Sequence, residues 1–220
     1  ADAPTRKREA TLALGAEVVT YDRMTEKRDK IAAHLAHARG ATLVPPFDDP
    51  WVIEGQGSLG IEVLTQAAEM RLPDPAHVAV PCGGGGLAAG VALALPDAEV
   101  TVVEPEGWDD MCRSLEAGWI EPVADSPPPT ACDSLQTLRV SPLTFDVLSR
   151  RGATGVRVTE AEVRAAPRWA ARRLRPALSP WGSVALAALP ACHAQAAPRL
   201  PVAPSRGPPP PAPRSPRPAT

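Results

Sequence analysis

A run of four glycines, Gly83–Gly86, has the clearest chemical meaning in this sequence. It lies between an apolar run that predicts a strand, His77–Pro81, and one that predicts a helix, Leu87–Leu95. Glycines let consecutive backbone N–H groups point into one concavity, and the following helix N-terminus adds partial positive charge. Such turns bind anions, most naturally phosphate. One or two glycines would be explained by close strand–helix packing alone, but four in a row favour a phosphate site.

The elements around this loop predict the fold class. A further strand, Val100–Glu104, follows the helix, and the order strand, loop, helix, strand is typical of a parallel pair with a right-handed crossover. The other predicted helices are Thr5–Leu14, Thr25–Arg39, Gly57–Met70, Asp109–Ala117 and Leu143–Arg151, and the other predicted strands are Ala16–Tyr21, Ala41–Val44 and Gly155–Thr159. The proline-interrupted segment Pro45–Trp51 is predicted to be a loop. We therefore expect an α/β fold with a mainly parallel sheet flanked by helices.

The C-terminal part of the chain has a different composition. Thr159 and Glu162 have the spacing of a capping box, but Pro167 follows inside the helix that the box would start, at a cost of about 3 kcal/mol. Residues 1–162 carry 14 basic and 25 acidic residues, a net charge of −11, whereas residues 163–220 carry nine arginines and no acid. That second part also holds 14 of the 28 prolines. We expect residues 190–220 to be disordered, and either a genuine extension or an out-of-frame translation of a GC-rich gene would explain them.

Several function classes are excluded by composition. The sequence has no run of eighteen apolar residues and no secretory leader, so we expect neither a membrane span nor export. The four cysteines, Cys82, Cys112, Cys132 and Cys192, form no C-x-x-C pair and are expected to be small buried residues in a reducing, cytoplasmic protein. The arginines of the tail lack interleaved aromatic residues, so we expect no nucleic-acid partner.

A dinucleotide is one candidate for the bound phosphate. Gly84, Gly86 and Ala89 fit the pattern G-x-G-x-x-A. Glu104 lies twenty residues after Gly84, at the end of the next strand, where an acid that binds ribose would lie. This interpretation leaves the rest of the chain unexplained.

Four stretches of the chain point to a second candidate. They are EATLALGAEVV at 9–19, PFDDPWVIEGQGSLG at 46–60, PCGGGGLAAG at 81–90 and EPEGWDD at 104–110. In this order and spacing they resemble the threonine/serine dehydratase and serine racemase family, the fold-type II pyridoxal-phosphate enzymes. Weaker similarity extends the resemblance to roughly residues 5–189.

The resemblance implies a cofactor and a metal ion. The residues implied to hold the phosphate of pyridoxal phosphate are Gly83, Gly84, Gly85, Gly86 and Leu87. A divalent cation, Mg²⁺ or Ca²⁺, would be held by the carboxylates of Glu104 and Asp110 and by the carbonyl of Trp108, since oxygen ligands suit both ions. A purely structural alternative is that Glu104 ends a strand and that Asp109 and Asp110 cap a helix.

The reaction implied by the resemblance is β-elimination of threonine or serine, in amino-acid catabolism, to a 2-oxo acid and ammonia. The family's Schiff-base lysine lies in an S-F-K-x-R-G motif, which Lys7, Lys27 and Lys30 do not match. We expect all three to be solvated surface residues and assign no catalytic residue. The family's S-x-G-N-H and S-G-G-N segments have no match either, so we expect this chain to be inactive, as a fragment lacking the N-terminal third.

Three segments are expected. Residues 1–40 would be a remnant of the small domain, residues 41–189 the large domain that binds the cofactor phosphate, and residues 190–220 the tail. A fragment like serine racemase, or a non-catalytic α/β protein that binds phosphate or a dinucleotide, remains an alternative. A homo-oligomer is also left open.

Overall fold

The computed structural model describes residues 4–22, 25–173 and 178–189. Its strands are β1 (His77–Pro81), β2 (Glu99–Pro105) and β3 (Thr154–Val158). Its helices are α1 (Thr5–Ala13), α2 (Arg28–Arg39), α3 (Pro50–Glu69), α4 (Gly86–Ala94), α5 (Asp110–Ala117), α6 (Pro142–Arg150), α7 (Glu160–Arg173) and α8 (Pro180–Ala187). A short 3₁₀ turn spans Asp133–Leu135.

The three strands form one parallel sheet in the order β1-β2-β3. Neighbouring side chains of a strand point to opposite faces of the sheet, and both faces of the central strand, β2, are buried. Val102 joins a core built mainly with α3, α4 and α6, whereas Val103 joins a second core with residues of α7 and α8. The expected α/β fold, with a parallel sheet flanked by helices, is therefore confirmed.

The crossover helix α4 packs against α3 at very short range. A Cβ atom on Gly60 would lie 2.7 Å from the Ala94 Cβ, and one on Gly90 would lie 2.5 Å from the Ile53 carbonyl oxygen. Glycine at these positions lets the two backbones approach, which fixes α4 and the loop before it.

Two predicted strands are wrong. Residues Ala16–Tyr21 and Ala41–Val44 contain β-branched residues, but they form no strand in the structure. Val19 and Val44 are 47% and 69% exposed, and neither segment pairs with a described strand. Strand propensity depends on a partner strand and a buried face, and these segments have neither.

The structure also corrects two helix starts. Helix α3 begins at Pro50, seven residues before the predicted start, because the Asp49 carboxylate accepts hydrogen bonds from Trp51 N and Val52 N at 2.9 and 3.1 Å. The predicted loop is therefore wrong in its last two residues. Helix α2 begins at Arg28, and no side chain caps it, so the predicted Thr25 cap is also wrong.

The capping box of α7 is confirmed. Glu162 N donates to Thr159 Oγ1 at 3.3 Å, and Thr159 N donates to a Glu162 carboxylate oxygen at 2.8 Å. The helix continues through Pro167. No described helix is long and apolar enough to cross a membrane. The predicted tail, residues 190–220, and Cys192 lie outside the described residues, and the proposed domain boundaries stay predictions.

Candidate functional site

A cleft of about 1090 Å³ opens where β1 ends and the glycine loop begins. The glycine loop and its helix form one wall, and the segment of residues 133–139 forms another. Three aromatic side chains, Tyr21, Phe47 and Trp181, also line it. Its position beyond the carboxyl end of a parallel strand is the usual place for a ligand site in an α/β fold.

Three of the four loop glycines lie where a side chain would collide with a neighbour, and at Gly83 the nearest atom would be 3.1 Å away. A Cβ atom on Gly84 would overlap the Phe47 ring, and one on Gly86 would lie 2.9 Å from the Phe47 Cβ. A Cβ atom on Gly85, whose φ is +88°, would lie 2.8 Å from the Met111 Cε. The four glycines therefore keep the loop thin, so that its backbone lines the cleft at the start of α4.

Helix α6 holds this loop from behind. The Thr144 hydroxyl donates to the Gly84 carbonyl at 2.8 Å, and Ser141 caps the same helix by accepting from Thr144 N at 3.1 Å. Both side chains are buried. Phe47 and Thr144 are site residues that the sequence interpretation missed, because their contacts with the loop join distant parts of the chain. The proline-bounded segment before α3 gave a weak signal for Phe47.

The three predicted cation ligands lie near the end of β2 and in the acidic turn that follows it, and the charge of Asp110 acts on Glu104. Glu104 is fully buried, and its carboxylate accepts hydrogen bonds from Cys112 N at 2.7 Å and Met111 N at 3.3 Å. Burial, and then the charge of Asp110, raise the pKa of Glu104 to about 8. Because this carboxylate is directed at the start of α5, Glu104 does not line the cleft, so the dinucleotide interpretation, which needs it beside a ribose, is disfavoured.

Asp110 is the group that fits a bound cation best. It is fully buried, and within the described residues neither carboxylate oxygen has a hydrogen-bond partner. Burial raises its pKa to about 7. Two buried carboxylates side by side need protons or a cation. The described residues contain no cluster of three or more His, Cys, Asp or Glu side chains for a metal, and the candidate set has two carboxylates and one carbonyl.

Trp108 is held firmly between these two acids. Its indole Nε1–H donates to the Pro128 carbonyl at 2.7 Å, and its backbone N–H donates to the Pro105 carbonyl at 3.0 Å. The neighbouring Asp109 does not cap α5 with its side chain, contrary to the capping alternative; Arg157 Nε donates to its carboxylate at 2.6 Å. The contacts of Trp108 and Asp109 therefore hold the turn between Glu104 and Asp110 in place.

The three lysines lie at the surface, as the sequence predicts. Lys7 Nζ donates to Asp133 Oδ2 at 2.6 Å and to Ser134 Oγ at 2.9 Å, and it lies 5.7 Å from the Trp181 ring centroid. All three partners line the cleft. Lys27 itself lines the cleft and is exposed, and Lys30 is exposed too. Lys7 is exposed as well, with half of its side chain accessible, so the expectation that all three lysines are surface residues is confirmed.

Comparison with known proteins identifies the class of protein. The family model described as pyridoxal-phosphate dependent enzyme matches residues 1–202. The chain belongs to this family, as the four resembling stretches predicted.

Individual relatives show which enzymes of this family the chain is similar to. The chain is 38% identical to an L-threo-3-hydroxyaspartate ammonia-lyase of Pseudomonas sp. over 192 residues, 86% of this chain and 58% of the relative. It is 33% identical to a serine racemase of Schizosaccharomyces pombe, covering 85% of this chain and 57% of that protein. It is 34% identical to an L-threonine ammonia-lyase of Thermotoga maritima, covering 73% of this chain and 39% of that protein. The chain thus spans about half the length of the curated relatives it matches.

Solved structures agree with this relationship. A threonine deaminase from T.th. superimposes with a TM-score of 0.79 at 40% identity, over 88% of this chain and 63% of that one. Maize serine racemase gives a TM-score of 0.76 at 30% identity, over 85% and 56% of the two chains. The fold is therefore that of the fold-type II enzymes.

Proposed function

We propose that the glycine loop binds the phosphate of pyridoxal phosphate through residues Gly83, Gly84, Gly85, Gly86 and Leu87. The observation that carries this proposal is the thin loop, which presents backbone at the start of α4 inside a cleft. A phosphate dianion is favoured at such a helix N-terminus by N–H donors and by the helix dipole. Membership of the pyridoxal-phosphate family supports the identity of the ligand.

The second part of the proposal is a divalent cation, Mg²⁺ or Ca²⁺, held by Glu104, Asp110 and the Trp108 carbonyl. Its main support is Asp110, whose two buried oxygens have no hydrogen-bond partner in the described structure. Oxygen ligands are what these ions prefer, and water would complete the coordination. The cation would balance the two buried negative charges close to the wall behind the glycine loop.

We further propose that the site is that of a cytoplasmic ammonia-lyase acting on a small hydroxy amino acid, threonine or serine, and that the 220-residue chain by itself does not complete this reaction. Pyridoxal phosphate, when bound, supplies an electron sink that lets the α-proton leave. The residues of this chain would bind the phosphate end, exclude water beneath Phe47 and balance charge at the acidic turn. The named activities of the relatives, ammonia-lyase and racemase, support this reaction class.

The test is a binding titration of the purified 220-residue chain with pyridoxal phosphate, followed by equilibrium dialysis. We expect saturable binding that inorganic phosphate competes away. The variant Gly84→Ala should bind much less because its methyl group overlaps the Phe47 ring, whereas Gly55→Ala, where a Cβ meets nothing within 4 Å, should bind normally. Binding of NAD with no response to pyridoxal phosphate would overturn the proposal in favour of a dinucleotide protein.

A further inference from the structure

We propose that Thr144 is a positioning residue for the phosphate loop: its hydroxyl group holds the Gly84 carbonyl away from the cleft and so directs the Gly85 N–H toward the ligand. This inference rests on the proposed function, because Thr144 has this role only if a phosphate binds at the loop. Thr144 lies outside the described lining of the cleft. It therefore acts through the loop backbone and not by contact with the ligand.

The Thr144 side chain is fully buried on α6 and makes one short hydrogen bond to the loop. Its Oγ1 donates to the Gly84 carbonyl oxygen at 2.8 Å, across sixty residues of sequence. Among the described residues, no other group donates to this carbonyl oxygen. Because Gly84 is itself buried, loss of the Thr144 hydroxyl would leave the carbonyl without a partner in its present orientation.

Ser141 determines where the hydroxyl hydrogen of Thr144 points. Ser141 Oγ accepts from Thr144 N at 3.1 Å and lies 3.0 Å from Thr144 Oγ1, and the Ser141 carbonyl offers Thr144 a second acceptor at 3.2 Å. A threonine hydroxyl has one hydrogen to donate. When the Ser141 hydroxyl donates to Thr144 Oγ1, the Thr144 hydrogen is free for the Gly84 carbonyl, its shortest contact. The two buried hydroxyls then form a chain in which each bond strengthens the next.

The peptide bond between Gly84 and Gly85 carries this constraint to the ligand side. The bond is trans, so its carbonyl and its N–H point in opposite directions in one plane. Thr144 binds the carbonyl from the buried side of the loop, and the N–H therefore points to the side that lines the cleft. Rotation of this single peptide would present a carbonyl oxygen to the cleft, where it would repel a phosphate.

The conformation of Gly85 fits a peptide that is held in this way. Its φ of +88° lies in the left-handed region that favours glycine, and its Cβ position is 2.9 Å from Thr144 Oγ1. Within the described residues, the N–H groups of Gly84, Gly85 and Gly86 donate to no protein acceptor. They are therefore available to a ligand, and a donor that is already oriented binds an anion without the cost of reorganisation.

The experiment compares two Thr144 variants of the full chain in equilibrium dialysis with pyridoxal phosphate. Thr144→Val keeps the shape of the side chain but removes the hydroxyl, so it should weaken binding by about tenfold, the effect of one lost hydrogen bond. The concentration of inorganic phosphate that displaces half of the ligand should rise by the same factor relative to the dissociation constant of phosphate in the wild type. Thr144→Ser keeps the hydroxyl and should restore most of the affinity for both anions.

Ser183→Ala is the matched control for a loss of stability. Ser183 is also fully buried, and its hydroxyl donates to the Ser179 carbonyl at 3.0 Å, but it lies outside the described lining of the cleft. Its loss should lower the melting temperature as Thr144→Val does and leave the affinity for pyridoxal phosphate unchanged. A fall in affinity with Thr144→Val alone thus reports the orientation of the loop and not stability.

The outcomes separate this inference from the proposed function. Absence of phosphate-competed binding in the wild type would overturn both. Binding by Thr144→Val as tight as in the wild type, or a loss of affinity that Thr144→Ser does not restore, would overturn the role of Thr144 and leave the phosphate site standing. Ser141→Ala is a milder second test should Thr144→Val not fold. It frees the Thr144 hydrogen for the Ser141 carbonyl and should also weaken binding, and unchanged affinity in it would overturn the inference.

Discussion

Glu104 and Asp110 make the free energy of unfolding depend on pH. Their pKa values rise from ordinary values of 4.5 and 3.8 to about 8 and about 7 in the folded chain, chiefly through burial. Between the ordinary and the raised pKa values, the folded state therefore binds more protons than the unfolded state. The free energy of unfolding consequently falls as the pH rises through this range. We expect the melting temperature in EDTA to decline from pH 5 toward about pH 8. Mg²⁺ or Ca²⁺ should reduce the decline by stabilising the charged carboxylates.

Asp110→Asn is the control for this prediction. It keeps the size of the side chain but removes one of the two buried charges, so its melting temperature should vary less with pH and should not respond to the cation. Arg113, whose charge lowers the pKa of Asp110, remains in both proteins. A wild-type protein that shows no cation response would contradict the proposed cation ligands.

Phe47 and Gly84 form a pair whose coupling can be measured. Gly84→Ala should weaken binding of pyridoxal phosphate because the added methyl group pushes against the Phe47 ring. Phe47→Ala opens that space, so the double variant Phe47→Ala, Gly84→Ala should bind better than Gly84→Ala alone. Equilibrium dialysis of the wild type, the two single variants and the double variant gives the coupling free energy between Phe47 and Gly84 in ligand binding. Additive losses would show that the ring and the glycine act independently.

The site was only partly predictable from sequence, for reasons visible at single residues. Four consecutive glycines have few explanations besides an anion loop, so Gly83–Gly86 could be selected without a structure. Phe47 and Thr144 contact that loop across large sequence separations, which no spacing rule detects. Lys7 was correctly assigned to the surface, but its partners, Asp133 and Ser134, could not be predicted because they follow it by more than 120 residues.

At the scale of elements, the contact between α3 and α4 controls where the glycine loop lies. A methyl group on Gly90 would lie 2.5 Å from the Ile53 carbonyl oxygen and 2.6 Å from Gly57 N, both backbone atoms that cannot move independently. We expect Gly90→Ala to lower the free energy of unfolding by about 3 kcal/mol. Denaturant titration measures this loss.

Gly55 supplies the matched control on the same pair of helices. It lies in α3 with nothing within 4 Å of its Cβ position, so Gly55→Ala should stabilise the chain by about 0.5–1 kcal/mol through helix propensity. Equal effects of the two substitutions on the free energy of unfolding would mean that the close approach of α3 and α4 contributes little to stability.

The capping box in the first turn of α7 makes a smaller, separate contribution to the free energy of unfolding. Thr159 accepts a hydrogen bond from Glu162 N, and the Glu162 carboxylate accepts from Thr159 N in return. Thr159→Ala should cost about 1 kcal/mol in the free energy of unfolding. Glu162→Gln keeps an acceptor and should cost less, and a reversed ranking by denaturant titration would contradict the capping assignment.

Elements stabilised by local signals were predictable, and those that depend on tertiary partners were not. Strand β1 and the start of α7 agree with the sequence, because an apolar run and a capping box are local features. Residues Ala16–Tyr21 have β-rich composition, yet no described strand pairs with them. Helix α3 starts early because Asp49 and Pro50 form a cap inside a segment whose prolines predicted a loop.

At the scale of the whole molecule, the chain carries the proposed phosphate loop and the acidic residues near the end of β2 over about half the length of its relatives. Several large apolar side chains stand in solvent, among them Leu14 at 88% and Trp51 at 79% exposure. Exposed apolar side chains are often covered by further protein, so ligand binding and turnover are best tested separately.

The 220-residue chain by itself should bind pyridoxal phosphate without turning over threonine or serine. Elimination needs a group that removes the α-proton and groups that orient the pyridine ring. The chain has no match to the S-F-K-x-R-G, S-x-G-N-H or S-G-G-N segments through which the family is expected to supply them. The dialysis experiment should detect binding, and a coupled assay for 2-oxo acids should detect no steady product. Sustained release of pyruvate from serine would contradict this prediction.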